Sequence, residues 1–127
     1  MSHITKVKTK LKDGHVLKKA LKRIGYRVQE GGIISTPYER GNGRAVEITA
    51  VKESCKLGFI RSSNNDCYEI FADWDMQKRH RKRIMDEIFQ VYSHEKVVKV
   101  ARFKGYSVIQ NRTNRHGQVE LILRKVA

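Results

Sequence analysis

The sequence predicts an α+β fold: a curved, mostly antiparallel sheet of about seven strands with helices packed on one face. In residues 68–74 (YEIFADW) the side chains alternate as they do in a strand with one buried face. A helical pattern follows directly, from Met76 to about Phe103. Strand-like segments also flank polar turns within residues 56–74 and 106–126, which predicts two hairpins.

The first half of the chain is predicted to run strand, helix, strand, loop, strand. The bounds are Ile4–Leu11, a helix between Asp13 and Gly25, Tyr26–Gln29, residues 30–43 and Arg44–Lys52. Asp13 is the expected N-cap, because a short acidic side chain can accept from a free backbone N–H. Gly25 is expected to end the helix, because glycine adopts the left-handed conformation most easily.

The central hairpin has a predicted register. A turn centred on Asn64 and Asn65 pairs Leu57 with Ala72, Phe59 with Ile70, and Arg61 with Tyr68. This register places nearly all the large apolar residues on one face. In the long helix, Ser93 is a candidate cap for a second helix, so a kink near residues 92–94 is considered.

Two segments of the first half of the chain are similar in sequence to two segments of the second half. LKRIGYRV at 21–28 is similar to ARFKGYSV at 101–108, and RAVEI at 44–48 is similar to GQVEL at 117–121. We therefore expect two strand–helix–strand–strand units. The length of 127 residues predicts a single domain, 1–127, with halves at 1–54 and 55–127.

Several segments resemble a known family. They are the opening MSHITKVKTKLKD, the helix end LKKALKRIGY, the strand YEIFADWD and the KGYSV after the long helix. These resemble the family of hypothetical chloroplast reading frame thirty-five, a plastid, cyanobacterial and bacterial domain of unknown function. The chain departs from the family pattern in being far more basic at 78–83 and 112–115, and in carrying Asp75 after Trp74. The resemblance implies one compact domain and supplies no catalytic residue.

Positive charge dominates the composition. The 27 Lys+Arg and 13 Asp+Glu give a net charge of +14, which repels itself unless an anionic partner neutralises it. We expect a non-enzymatic protein that binds nucleic acid through phosphates, RNA being favoured over DNA, alone or within a larger nucleoprotein assembly. The chain has no apolar run of roughly 20 residues for a membrane span and no apolar signal segment, so a cytoplasmic or plastid-stromal location is expected.

The candidate phosphate contacts are clustered cations. The main cluster opens the long helix, where positive charge is unfavourable at the positive end of the helix dipole and so calls for an anionic partner. Its members are Lys78, Arg79, Arg81, Lys82 and Arg83. Cations elsewhere widen the predicted footprint: Lys18, Lys22, Arg112 and Arg115.

An alternative function is that of a protein adaptor, which docks an open sheet face and the basic helix on an acidic partner. The predicted face combines strand lysines with exposed apolar side chains, and Phe71 is the one aromatic among them. The candidate interface residues are Lys6, Lys8, Lys10, Ile60, Phe71, Ile109 and Ile122. The same cations could also form a solvated face that binds no partner.

A second alternative is an acid/base or divalent-metal enzyme at Asp73 and Asp75, which share one side of the strand end. Asp75 can equally cap the following helix. The five histidines lack ligand spacing, and the glycine-rich segment 30–43 lacks the Lys-Ser/Thr ending of a phosphate loop. We expect no metal, no cofactor and no catalytic residue, and we interpret Cys55 and Cys67 as structural.

Overall fold

The computed structural model describes residues 5–34, 43–53, 55–72, 80–113, 115 and 119–125, and confirms the α+β class. Its helices are α1 (Gly14–Ile24) and α2 (Arg81–Phe103). Its strands are β1 (Thr5–Lys8), β2 (Arg27–Glu30), β3 (Ile33–Ile34), β4 (Arg44–Ala45), β5 (Ile48–Lys52), β6 (Cys55–Arg61), β7 (Tyr68–Ala72), β8 (Tyr106–Thr113) and β9 (Val119–Lys125).

The described strands pair antiparallel and form three sheets, instead of one sheet of about seven strands. Five strands form the main sheet in the order β1-β7-β6-β5-β2, while β3 pairs with β4 and β8 pairs with β9. Strands from both predicted halves therefore share the main sheet. The predicted hairpin register is confirmed where Phe59 pairs with Ile70 and Arg61 with Tyr68.

Both helices pack on one face of the main sheet, as predicted. Leu17 and Leu21 of α1 and Ile88 of α2 are fully buried in the same core cluster as Phe59 and Ile70 of the sheet. Burial of side chains of this size stabilises the fold by roughly 1.5–3 kcal/mol each. This core fixes which side of α1 remains available to solvent.

The predicted ends of α1 are confirmed. The Asp13 side chain accepts a hydrogen bond from the Val16 N–H at 3.1 Å, which satisfies one of the free donors of the first turn. Gly25 has φ +117°, and the Tyr26 N–H beyond it donates to the Leu21 carbonyl at 3.0 Å. Gly105 after α2 also has positive φ, +87°, and both glycines precede a tyrosine: Tyr26 comes directly before β2, and Tyr106 begins β8.

The sheet face opposite the helices is covered at its centre, which corrects the prediction of an open face. The β3–β4 pair lies over it, and a Cβ at Gly58 would fall 2.5 Å from Ile34 and 2.7 Å from Val46. Phe71, predicted to be exposed, is 4% exposed with Arg44 stacked 4.8 Å from its ring centre. The prediction missed this cover because β3 lies in a glycine-rich segment that was interpreted as a loop.

The long helix is continuous over its described length. Ser93 lies within α2 and is exposed, so its predicted role as a second cap is wrong. The helix begins at Arg81, and His80 at its N-cap makes no side-chain capping hydrogen bond. The predicted start at Met76 falls in residues 73–79, which lie outside the described residues.

Candidate functional site

One face of α1 forms the wall of a basic groove. His15, Lys18, Lys19 and Lys22 follow the spacing i, i+3, i+4, i+7, so they lie on one side of the helix. Together with Val28 and Glu30 of β2 they line a groove of about 490 Å³, which we call the α1 groove.

The α1 groove carries more positive than negative charge. Its single lining carboxylate, Glu30, accepts a hydrogen bond from Lys18 Nζ at 2.7 Å. This hydrogen bond and the charge of Lys18 lower the pKa of Glu30, and the charge of Lys22 adds to the effect. The same pair raises the pKa of Lys18, so both groups are ionised at neutral pH. Three lysines therefore face one carboxylate.

The α1 segment contains no acidic residue, so its cations depend on carboxylates from other elements. Glu95 of α2 is 4% exposed and forms ion pairs with Arg23 and with Lys19, the latter at 3.5 Å. Burial alone would raise the pKa of Glu95, but the hydrogen bond and charge of Arg23, with help from Lys19, hold it below its usual value. Lys22 makes no salt bridge within the described residues.

A second set of contacts fixes the start of α1 against α2. Asp13 receives Lys96 at 3.0 Å and Lys99 at 2.7 Å, and its own N–H donates to the Tyr92 hydroxyl at 2.9 Å. Burial alone would raise the pKa of Asp13, but the hydrogen bonds from Lys99 and Val16 and the interactions with Lys96 outweigh it and lower the pKa well below its usual range. We call these contacts the Asp13 clasp. It holds the helix that presents the groove lysines.

Of the cationic cluster predicted at the start of α2, the structure describes Arg81, Lys82 and Arg83, which Asp86 and Glu87 follow on the same helix. Lys82 Nζ lies 2.9 Å from Asp86 Oδ2 in an i, i+4 pair, and this hydrogen bond raises the pKa of Lys82. Arg83 lines a shallow depression with Lys82, Asp86, Glu87 and Gln90, so two cations face two carboxylates there. The described charges that line this depression are therefore equal in number.

The other predicted site residues fall in several places. Arg81 is exposed at the first turn of α2, Arg115 is exposed beyond β8, and Arg112 lies in β8. Lys78 and Arg79 lie outside the described residues. The structure therefore brings Lys18 and Lys22 together in one groove and places the remaining described cations elsewhere.

The predicted interface residues are also separated. Lys6 and Lys8 of β1 are exposed, and Lys6 pairs with Glu69 at 3.4 Å. Lys10 is exposed beyond β1, and Ile60 is half-buried. Ile109 and Ile122 are exposed, but they belong to the β8–β9 hairpin and not to the main sheet. These residues do not form one continuous sheet face.

A polar cleft of about 420 Å³ lies beside the start of α2, with Tyr26 and Cys55 among its lining residues. The Tyr26 hydroxyl and the Cys55 sulfur are 3.9 Å apart, and burial raises the pKa of both groups. Cys55 is therefore a neutral thiol, and both Cys55 and Cys67 are buried and unpaired, in agreement with a structural role. Within the described ranges no three His, Cys, Asp or Glu residues are grouped as metal ligands. Asp73 and Asp75 lie outside those ranges.

Sequence comparison places the chain in a family. Residues 20–122 match the model of a family described as a protein of unknown function, DUF1257. The chain belongs to this family. It is 24% identical over 129 residues to the uncharacterized protein ycf35 of Pyropia yezoensis, and 25% identical over 130 residues to that of Cyanophora paradoxa. Each alignment covers 98% of both chains, which confirms the resemblance found in the sequence.

No solved structure matches this DUF1257 chain. None of its described helices has the length and apolar character needed to cross a membrane. Sequence reasoning found Lys18 and Lys22 but left His15 and Lys19 out of the site. The i, i+3, i+4, i+7 spacing of these four residues is the signal that would have found them.

Proposed function

We propose that this DUF1257 protein binds nucleic acid, RNA in preference to DNA, and acts as a non-enzymatic module whose α1 groove contacts the phosphate backbone. The observation that carries the proposal is the α1 groove itself, which three lysines, a histidine and one carboxylate line. Lys18 pairs with Glu30 and Lys19 with Glu95, while Lys22 makes no salt bridge within the described residues. Lysine is a common phosphate ligand, and phosphate contacts supply most of the affinity that is independent of base sequence.

The geometry of α1 suits a linear polyanion. Lys18 and Lys22 are one helical turn apart, about 6 Å along the axis, so each can meet a different phosphate. The Asp13 clasp fixes α1 on α2, so the lysines are presented from a held helix. We further propose that the protein works in the cytoplasm or plastid stroma, alone or within a ribonucleoprotein.

Salt dependence tests the proposal. Fluorescence anisotropy of a labelled 12-nucleotide RNA, measured from about 50 to about 200 mM salt, should show log affinity falling linearly with log salt. Three groove contacts to a single strand contribute about −2 to the slope, at about −0.7 per phosphate. Affinity that does not change with salt would contradict phosphate binding.

Native purification with and without nuclease separates nucleic acid from a protein partner. We expect the co-purifying material to absorb as nucleic acid and to be lost after nuclease treatment. A single stoichiometric protein that remains bound after treatment would instead support the adaptor function.

A further inference from the structure

Positive charge and exposed apolar side chains coincide in the last quarter of the chain. Residues 96–127 contain eight Lys/Arg and one acid, Glu120, so they carry +7 of the net +14. Among the described residues, six large apolar side chains are exposed, and all but Ile33 lie in this segment. They are Val97, Val100, Phe103, Ile109 and Ile122.

The last turns of α2 carry two neighbouring ridges. Cations repeat every third residue at Lys96, Lys99 and Arg102, and each is followed directly by an exposed apolar residue. Because positions three apart form rows along a helix, a basic row and an apolar row lie side by side. Lys96 and Lys99 of the basic row pair with Asp13 at 3.0 and 2.7 Å, whereas Arg102 makes no salt bridge within the described part of the chain. The apolar row is Val97 at 49%, Val100 at 38% and Phe103 at 91% exposure.

Phe103 is the most exposed residue of the apolar row. Its side chain lies almost wholly in water, and its neighbours in the sequence, Arg102 and Lys104, are also exposed. Phenylalanine normally avoids such exposure, and an exposed apolar site next to charge often marks a contact surface.

The β8–β9 hairpin continues the same combination of side chains. Both of its strands contact α2. Ile122 and Arg124 are exposed and two residues apart in β9, so they point to the same side of the strand. Ile109 is exposed at an irregularity of β8 between Val108 and Gln110. The end of α2 and the hairpin that contacts it thus expose cations together with apolar side chains. We call the following exposed residues the C-terminal surface: Val97, Val100, Arg102, Phe103, Lys104, Ile109, Ile122 and Arg124.

We propose that the C-terminal surface selects single-stranded nucleic acid, with an unpaired base stacked on Phe103 and the flanking phosphates on Arg102 and Lys104. This inference rests on the proposed function and adds the class of nucleic acid. The occupant must bring negative charge and a flat apolar face, and an unpaired strand offers both. A duplex hides its base faces, and a second copy of this chain would set one +7 segment against another.

The test compares three labelled probes of equal length: oligouridine, an RNA duplex, and a strand of abasic sites that keeps the phosphates but has no bases. Phe103→Leu keeps an apolar side chain and removes the π-face, Phe103→Trp restores it, and Ile33→Ala removes an exposed apolar residue elsewhere. We expect Phe103→Leu to weaken oligouridine binding about five- to tenfold, Phe103→Trp to bind like wild type, and Ile33→Ala to change nothing.

On the duplex, Phe103→Leu should bind with the same affinity as wild type, and the same should hold on the abasic strand. Wild-type affinity for the abasic strand equal to that for oligouridine, or an unchanged affinity in Phe103→Leu, would overturn the stacking proposal while leaving phosphate binding intact. Phe103→Leu that loses binding to phosphatidylserine vesicles but not to oligouridine would assign the surface to a membrane. Salt-independent or undetectable binding of every nucleic-acid probe would reject the proposed function itself.

Discussion

Both helices carry clusters of cations, but they differ in where the matching acids lie. The seven residues that open α2, RKRIMDE, hold three cations and two acids, and Lys82 pairs with Asp86 one turn away. The eleven residues of α1 hold four cations and no acid. Its two ion-pairing carboxylates, Glu30 and Glu95, come from other elements. Whether a cluster of cations in the sequence carries unmatched charge can thus be judged only after the acids near it are counted, including those one helical turn away.

The start of α1 also makes more stabilising contacts than the start of α2. Asp13 caps α1 and receives two lysines from α2, whereas His80 makes no side-chain cap for α2. Asp13→Ala should lower the free energy of unfolding by about 2 kcal/mol, about 1 from the cap and the rest from the ion pairs. His80→Ala should cost less than about 0.5 kcal/mol. Urea denaturation measures both changes. Equal losses would show that the Asp13 clasp adds no more to the free energy of unfolding than the uncapped start of α2 does.

The balance of charge on α2 predicts a gain in binding when its acids are removed. Asp86→Asn with Glu87→Gln should raise RNA affinity about tenfold, because Lys82 and Arg83 lose their local counter-charges. Asp66→Asn with Glu69→Gln changes the net charge equally without altering a residue of either helix and serves as the control. A similar gain in the control would mean that net charge, and not local matching, determines affinity.

The α1 groove should respond more weakly to loss of its one carboxylate. Glu30→Gln releases Lys18 and removes one negative charge, so RNA affinity should rise about threefold. Anisotropy titration at low salt measures the change. A fall in affinity would indicate that Glu30 positions Lys18 for binding instead of competing for it.

Acid should weaken the contacts that hold α1. The lowered pKa values of Asp13 and Glu95 mean that their stabilisation is complete above the unfolded-state values, near pH 4, and is lost as the pH falls further. The free energy of unfolding should therefore drop from about pH 5 downward, and by less in Asp13→Asn. Urea titrations across this range give the comparison, and identical slopes would contradict a charged clasp.

Local signals in the sequence were sufficient for much of the fold. The cap at Asp13, the left-handed Gly25 and the pairing of Phe59 with Ile70 each follow from neighbouring residues or from a short turn. The cover over Gly58 by Ile34 and Val46 could not be predicted, because it depends on pairing between two-residue strands in a glycine-rich region.

The candidate site shows the same division. Lys18 and Lys22 were identifiable from charge, and helical spacing would have added His15 and Lys19. The contact of Glu95 with Arg23 joins residues 72 positions apart, and no local pattern indicates it. The sequence therefore ranks the start of α2 first, on a cluster that includes Lys78 and Arg79 outside the described residues. We propose α1 because its segment contains no acid, whereas Asp86 and Glu87 follow Lys82 and Arg83 on α2.

The most direct test removes two positive charges from each helix in turn and measures the salt dependence of RNA binding. Lys18→Ala with Lys22→Ala should make the slope of log affinity against log salt shallower by about 1.4, the value for two lost contacts to a single strand. Lys82→Ala with Arg83→Ala, which removes the same net charge, should leave the slope within about 0.3 of wild type. Equal changes in the two variants, or a larger change from α2, would contradict the assignment of phosphate binding to the α1 groove.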